Sequence, residues 1–283
     1  MTGLLGTAKQ TLRSVCPRTI LQWREERYFR KFGEAELTIV ECLCEPHRDA
    51  IDVGANEGSY IYAMRRHSRR VYAFEPIPWL AARLVEKFGD TVSVECMALS
   101  RQRGAAVLHV PLAEGHPVTG LSSLSAKASH ACSAYREIPV ETRPLDEIFE
   151  GDAAFVKIDV EGHEEAVIEG ARETIARCRP RLLVEIEEQH APGGRERIAR
   201  FLGAVGYRGF YLCEGRLEPI ASFDPATMQR TADIAAFKAG TARRRFSRYI
   251  NNFLFFPPKE PQTTFERIEA LLAHARSPGR RAS

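Results

Sequence analysis

Residues 51–60 read IDVGANEGSY. A short apolar run ends beside an acid, Asp52, and a turn carrying Gly54 and Gly58 follows. Glycines in such a turn permit positive φ and let a ligand approach the backbone closely. A turn of this kind after a strand is a common nucleotide cradle in α/β sheets. The dinucleotide fingerprint G-x-G-x-x-G is absent, because Asn56 stands at the second glycine and Gly58 falls one place early for the third.

That fingerprint brings a pyrophosphate to a helix N-terminus. A carboxylate at Asp52 would repel a pyrophosphate but attract an ammonium group. S-adenosylmethionine carries an ammonium, a sulfonium and no phosphate, so the turn suits it better. Glu75 closes the next apolar run, VYAFEP (71–76). An acid about 20 residues beyond the turn commonly hydrogen-bonds ribose hydroxyls. Glu75 therefore supports a nucleoside without choosing between the two cofactors.

Further along the chain, apolar runs alternate with helical patterns. Strands are expected at 71–76, 92–99, 153–160 and 179–187, and helices at about 59–67, 77–89, 162–178 and 195–208. This alternation implies a parallel sheet with helices on both faces. The runs 105–112 and 137–145 are strand-like and flank a Ser/Gly/His-rich stretch, which predicts a hairpin or a pair of edge strands with a long connection. FYLCEG (210–215) and RLEPI (216–220) form a last strand pair. Residues 5–44 are mostly helical in pattern. In the tail, aromatics at 246, 249, 253 and 256 recur at helical spacing and predict a docked helix stopped by Pro257-Pro258.

The 283 residues suffice for a large core without disulfide staples. The formal net charge of +3 does not describe a polyanion binder, and no nucleic-acid partner is expected. The charge is uneven: residues 221–283 hold 11 Lys/Arg against 5 Asp/Glu. A basic tail of this kind either meets something anionic or is a solvated face. Seven scattered cysteines fit neither a disulfide framework nor a zinc spacing, so a reducing cytoplasm is the expected compartment. The first residues, MTGLLGTAKQ, make a poor signal peptide, and no apolar run approaches the ~20 residues that cross a bilayer.

IDVGANEGSY, YAFEPIP, MALS, VKIDVEGHE and LLVEIE, in this order and spacing, resemble the FkbM-type methyltransferases over about residues 34 to 220. The resemblance implies a class I S-adenosylmethionine-dependent enzyme that O-methylates a sugar, glycan or glycosylated metabolite. The alternatives are methylation of another small-molecule hydroxyl, or a non-catalytic S-adenosylmethionine-binding scaffold. It implies a Rossmann-like α/β sheet of seven strands, the last antiparallel, with 210–220 supplying that closing feature. The resulting organisation is a helical N-terminal segment (1–45), a core (46–220) with an insertion (105–145) over the acceptor side, and a basic, helical C-terminal extension (221–283). By the same resemblance, Asp52, Gly54, Ala55, Asn56 and Gly58 surround the methionine end of the cofactor. Glu75 and Pro76 take the ribose side, and Ala98 and Leu99 lie near the adenine.

An alcohol must lose its proton during methyl transfer, so a base is expected near the end of the strand at 153–160. Asp159, Glu161, His163 and Glu164 crowd that turn, and Glu185 and Glu187 follow on one face of the next strand. Asp159, His163 and Glu185 are the catalytic candidates, with Asp159 also bordering the cofactor. Glu161 and Glu164 have helix-capping alternatives, and Lys157 has a pairing role open to it. Asp159, Glu161, Glu185 and His163 could hold a divalent ion, but no fixed ligand spacing demands one and none is assigned. The segment 115–135, with His116 and His130, is expected to cover a small-molecule or saccharide acceptor. Oligomeric state is not legible.

Overall fold

Apolar strands and amphipathic helices assemble in the computed structural model, which describes residues 17–124, 134–230, 233 and 249–276. Eight strands form the main sheet, in the order β11-β10-β12-β9-β8-β1-β2-β3. The central strands are β1 (Asp49–Val53) and β8 (Ala153–Ile158), each buried at every position. Burial on both faces explains why they read as unbroken apolar runs. Parallel neighbours are β2 (Val71–Phe74), β3 (Val92–Glu95) and β9 (Arg181–Glu185).

Alternate residues of each strand enter different cores, because successive side chains point to opposite faces. Ile51, Val53, Val156 and Ile158 join one core with Val167, Ile175 and Ile198. Those three come from helices Glu164–Glu169, Arg172–Cys178 and Gly194–Ala204. Ala50, Ala73 and Phe155 join the other core with Ile61, Leu84 and Ile268, from helices Ser59–His67, Pro78–Phe88 and Gln262–Arg276.

Three expectations are corrected. The run 92–99 is not one strand: β3 stops at Glu95, and Ala98–Leu99 (β4) pair in parallel with Thr142 and Arg143. They thus belong to a second sheet, β4-β7-β5-β6, built on the insertion. There β5 (Gly104–Ala113) and β7 (Tyr135–Arg143) pair antiparallel along most of their length, and β6 is His116–Pro117. The helix expected over 162–178 is broken at Gly170, where a Cβ would lie 2.0 Å from the Ser100 carbonyl oxygen. The close packing of this turn on the end of β4 leaves no room for a side chain.

The third correction concerns the tail. Asn252–Phe256 is a strand, β12, and not part of a docked helix. It lies antiparallel between β9 and β10 (Arg208–Cys213), bonded to both. The closing antiparallel strand inside the sheet is therefore β12; Arg216–Pro219 (β11) pairs with β10 at the edge. Among the described residues the main sheet has eight strands, and it extends past residue 220 into the stretch read as an extension. Phe253 and Phe255 face one core while Leu254 and Phe256 face the other. A strand buried on both faces has no polar side to reveal its period of two. Residues 231–232 and 234–248, with the aromatic at 246, lie outside the described residues, as does His130.

Among the described residues no helix is long and apolar enough to cross a membrane. Residues 17–43 contribute helix Pro17–Phe32 and two short turns, Ala35–Thr38 and Val40–Leu43.

Candidate active site

The C-terminal ends of β1, β2 and β8 meet around one cavity, the position where ligands bind in open α/β sheets. Gly54, Asn56, Glu75, Pro76, Ala98, Leu99, Asp159, Glu161 and His163 line it, joined by Thr119, Gly120, Ser122 and Leu124 of the insertion. The space is narrow, about 60 Å³.

The turn after β1 is shaped by close contacts. Gly54 has φ +79, and a Cβ there would sit 1.8 Å from the Asp159 carbonyl oxygen. Gly58 has φ +82, and its Cβ would meet Leu84 and Phe88 at 2.9 Å. Gly58 therefore serves the packing of the next helix rather than the cavity. Asn56 takes φ 47 and donates its backbone N–H to Glu75 Oε2 at 2.7 Å. The Ile77 N–H donates to Glu75 Oε1 at 2.9 Å. Burial pushes the Glu75 carboxyl up to about 7, against the pull of these two N–H groups.

Of the residues expected at the cofactor, Gly54, Asn56, Glu75, Pro76, Ala98, Leu99 and Asp159 lie on the cavity wall. Asp52, Ala55 and Gly58 stand behind it: Ala55 is in the hydrophobic core, and Asp52 is 1% exposed. Neither Asp52 carboxylate oxygen has a hydrogen-bond partner. Burial raises its pKa to about 6, with Lys157 opposing and Asp159 and Glu34 adding to the rise.

Asp52 pairs in register with Lys157, so the two stand side by side on one face of the sheet. Lys157 is buried, with Nζ 2.8 Å from Asp159 Oδ2 and 4.9 Å from the centre of the Tyr60 ring. Burial alone would lower the pKa of this ammonium, but Asp159, Asp52, Glu34 and Glu185 outweigh it and the net shift is upward. The Tyr60 hydroxyl donates to Glu34 Oε2 at 2.7 Å, and Asn252 Nδ2 donates to the same oxygen at 3.3 Å. Glu34 thus carries the N-terminal segment into this polar nest.

The catalytic candidates separate. Asp159 and His163 face the cavity; Glu185 does not line it. Glu185 is held by Asn251 Nδ2, and its pKa lies well above normal through burial and through Asp159, Glu34 and Glu161. His163 Nε2 is 2.9 Å from Ser100 Oγ, and burial with the Arg101 charge lowers its pKa. Glu164 accepts the Gly162 N–H at 2.8 Å, a local turn contact.

Two acid-rich groups border this region. Ligand-type atoms of Asp159, Glu161 and Glu185 lie within 4.8 Å of one another, and so do those of Glu161, Glu187 and His190. Sequence reading missed Glu34, Tyr60, Asn251 and His190, which arrive from separate elements with no shared motif; Thr119 lies in the segment 115–135 expected over the acceptor side. Glu187-x-x-His190 is the one local signal that was available.

A family model described as the methyltransferase FkbM domain matches residues 52–209. The 2-O-methyltransferase NoeI of Sinorhizobium fredii is 31% identical over 157 residues, covering 50% of this chain and 64% of that protein. The chain thus spans slightly under two thirds of this relative's length. Among solved structures, the methyltransferase FkbM of Methylobacillus flagellatus KT gives a TM-score of 0.47 at 15% identity, over 82% of this chain and 50% of that one. An O-methyltransferase of Thermotoga maritima gives a TM-score of 0.37 at 11% identity, over 80% and 64% of the two chains.

Proposed function

The chain belongs to the FkbM methyltransferase family, and from that premise we propose that it transfers a methyl group from S-adenosylmethionine to a hydroxyl of a sugar, glycan or glycosylated metabolite. The observation that carries the reading is the convergence of Gly54, Asn56, Glu75, Leu99 and Asp159 on one cavity at the strand ends. The 2-O-methyltransferase among the relatives favours an oxygen acceptor.

The residues fit the cofactor. Glu75 offers a carboxylate to ribose hydroxyls. The apolar walls at Ala98 and Leu99 suit an adenine. The turn Gly54–Asn56 and Asp159 take the methionine end. Behind them, Asp52 supplies a buried carboxylate without a hydrogen bond, the charge an ammonium would complement. When bound, S-adenosylmethionine supplies the reactive methyl carbon on its sulfonium.

The chain supplies orientation and a place for the proton. Asp159, fixed by Lys157, orients the acceptor side. His163 has a lowered pKa and is neutral near pH 7, so its ring can accept the hydroxyl proton. Thr119 and Ser123 tie the insertion down: Thr119 Oγ1 donates to Asn56 Oδ1 at 3.2 Å, and Ser123 Oγ donates to the Glu161 carbonyl at 2.6 Å. Held in this way over the cavity, the segment can exclude water from it.

Calorimetric titration with S-adenosylmethionine and with NAD separates the nucleotide classes. Binding of the former alone is expected, and its absence sinks the reading. A lysate fed methyl-labelled cofactor, followed by mass spectrometry, identifies the methylated product. Cofactor binding without any labelled product assigns a scaffold instead.

A further inference from the structure

We propose that Glu161, Glu187 and His190, flanked by Asp159 and Glu185, form a binding site for one divalent first-row cation of the Mn²⁺ type. The binding does not rest on the methyl-transfer reading; its use in holding an acceptor does.

Two turns build the site. After β8, Glu161 takes φ 51 and Gly162 φ 97. A Cβ on Gly162 would lie 3.1 Å from the His190 carbonyl oxygen, so this turn presses against the one after β9. In that second turn the His190 and Ala191 N–H groups both donate to the Glu187 carbonyl. The turn carries Glu187 and His190 at i and i+3 to the same side, facing Glu161.

The donor atoms have the spacing of a metal's ligands. All pairs in each set lie within 4.8 Å. Ligands held near 2.1 Å from one ion stand roughly 3 to 4 Å apart, so a modest side-chain adjustment closes the cage. Glu161 belongs to both sets and joins them.

The imidazole is what separates this group from an ordinary acidic cluster. The His190 side chain is 8% exposed. Its Nδ1 pairs with Glu161 Oε2 at 2.7 Å and lies 3.7 Å from Glu187 Oε2. A buried ring nitrogen facing two carboxylates stands where a shared cation would take the place of the ring's proton.

Charge balance points the same way. Four carboxylates converge here, and Lys157, the neighbouring ammonium, is engaged with Asp159 at 2.8 Å. Buried anions need cations or protons to persist. A divalent ion provides two charges in one small volume. Mixed nitrogen and carboxylate donors suit Mn²⁺ better than Mg²⁺ or Ca²⁺, which favour oxygen alone.

Glu161 and Asp159 also line the cavity. A cation between the two acid groups would face the acceptor side, where it could bind a hydroxyl and ease loss of its proton.

The test uses the full chain, freed of metal by a chelator and titrated with Mn²⁺ while electron paramagnetic resonance reads the free ion. About one Mn²⁺ per chain is expected. Affinity should fall at least tenfold in His190→Gln and in Glu187→Gln, and stay unchanged in Glu114→Gln on an exposed turn. Mn²⁺ should also broaden the imidazole resonances of His190 in histidine-labelled wild-type protein, a readout that needs no variant. Three outcomes each overturn the proposal: no uptake at millimolar Mn²⁺, uptake unchanged in both site variants, or broadening that spares His190. No cofactor or acceptor is present, so failure here leaves methyl transfer standing, and failure of S-adenosylmethionine binding leaves the cation site standing.

Discussion

Lys157 Nζ lies 2.8 Å from Asp159 Oδ2, and the side chain is buried. This pair holds the wall of the cavity in place and balances Asp52 and Glu185, which share its surroundings. Removing the cation leaves several buried acids uncompensated. Lys157→Met should therefore lower stability by about 3–5 kcal/mol, read by denaturant unfolding. A loss under about 1 kcal/mol would mean that the acids are protonated or otherwise satisfied without it.

Asp159→Asn tests the same pair from the other side. The amide keeps the shape and can still accept a hydrogen bond from Lys157. The protein should fold, while methyl transfer drops on the order of a hundredfold or more. Unchanged product formation removes Asp159 from the reaction.

Gly54 and Gly203 make a contrasting pair. At Gly54 a Cβ would overlap the Asp159 carbonyl at 1.8 Å, with φ +79. Gly54→Ala should cost at least about 1–3 kcal/mol from backbone strain alone and should abolish cofactor binding. At Gly203, inside helix Gly194–Ala204, a Cβ meets nothing within 4 Å. Gly203→Ala should stabilise by about 0.4–1 kcal/mol and leave binding unchanged. Thermal melts with and without S-adenosylmethionine read both variants.

Burial raises Asp52 to about 6 and Glu75, Glu161 and Glu164 to about 7, each from an ordinary value near 4. In the folded protein these groups hold protons that the unfolded chain has released between about pH 4 and 7. Their contribution to stability is complete below the unfolded values and is lost as pH rises through the folded ones. The melting temperature of the ligand-free protein should therefore fall from pH 5 to pH 8. Cofactor affinity should move the other way, rising through about pH 7 as Glu75 ionises to accept ribose hydroxyls. A melting temperature that climbs over this interval contradicts the burial argument.

Phe253 is completely buried in β12, between two strands of the main sheet. Phe253→Ala should cost about 3–5 kcal/mol, measured by unfolding. A cost near zero would return residues 252–256 to the status of an appended tail.

Much of this was legible in the chain. The unbroken apolar runs of β1 and β8, the glycine turn with Asn56, and Glu75 at the next strand end were local patterns. Each shows in the order of residue types along a short stretch, even where its contacts, such as Gly54 on Asp159, are distant. The break at Gly170 was not legible, because its cause is the Ser100 carbonyl packed against it from β4. The strand at 252–256 was hidden because burial on both faces removes the polar alternation that marks a strand. Ala98 and Leu99 read as the end of β3, since only their partners Thr142 and Arg143 assign them to another sheet.

Sequence by itself determined an α/β methyltransferase core, because apolar runs and glycine turns are patterns within short stretches of the chain. Tertiary structure alone decided which acids meet. Glu34, Asp52, Lys157 and Glu185 come from four separate elements, and Glu161 reaches His190 across two turns. Through-space charge and burial depend on the packed fold, and no spacing along the chain encodes them.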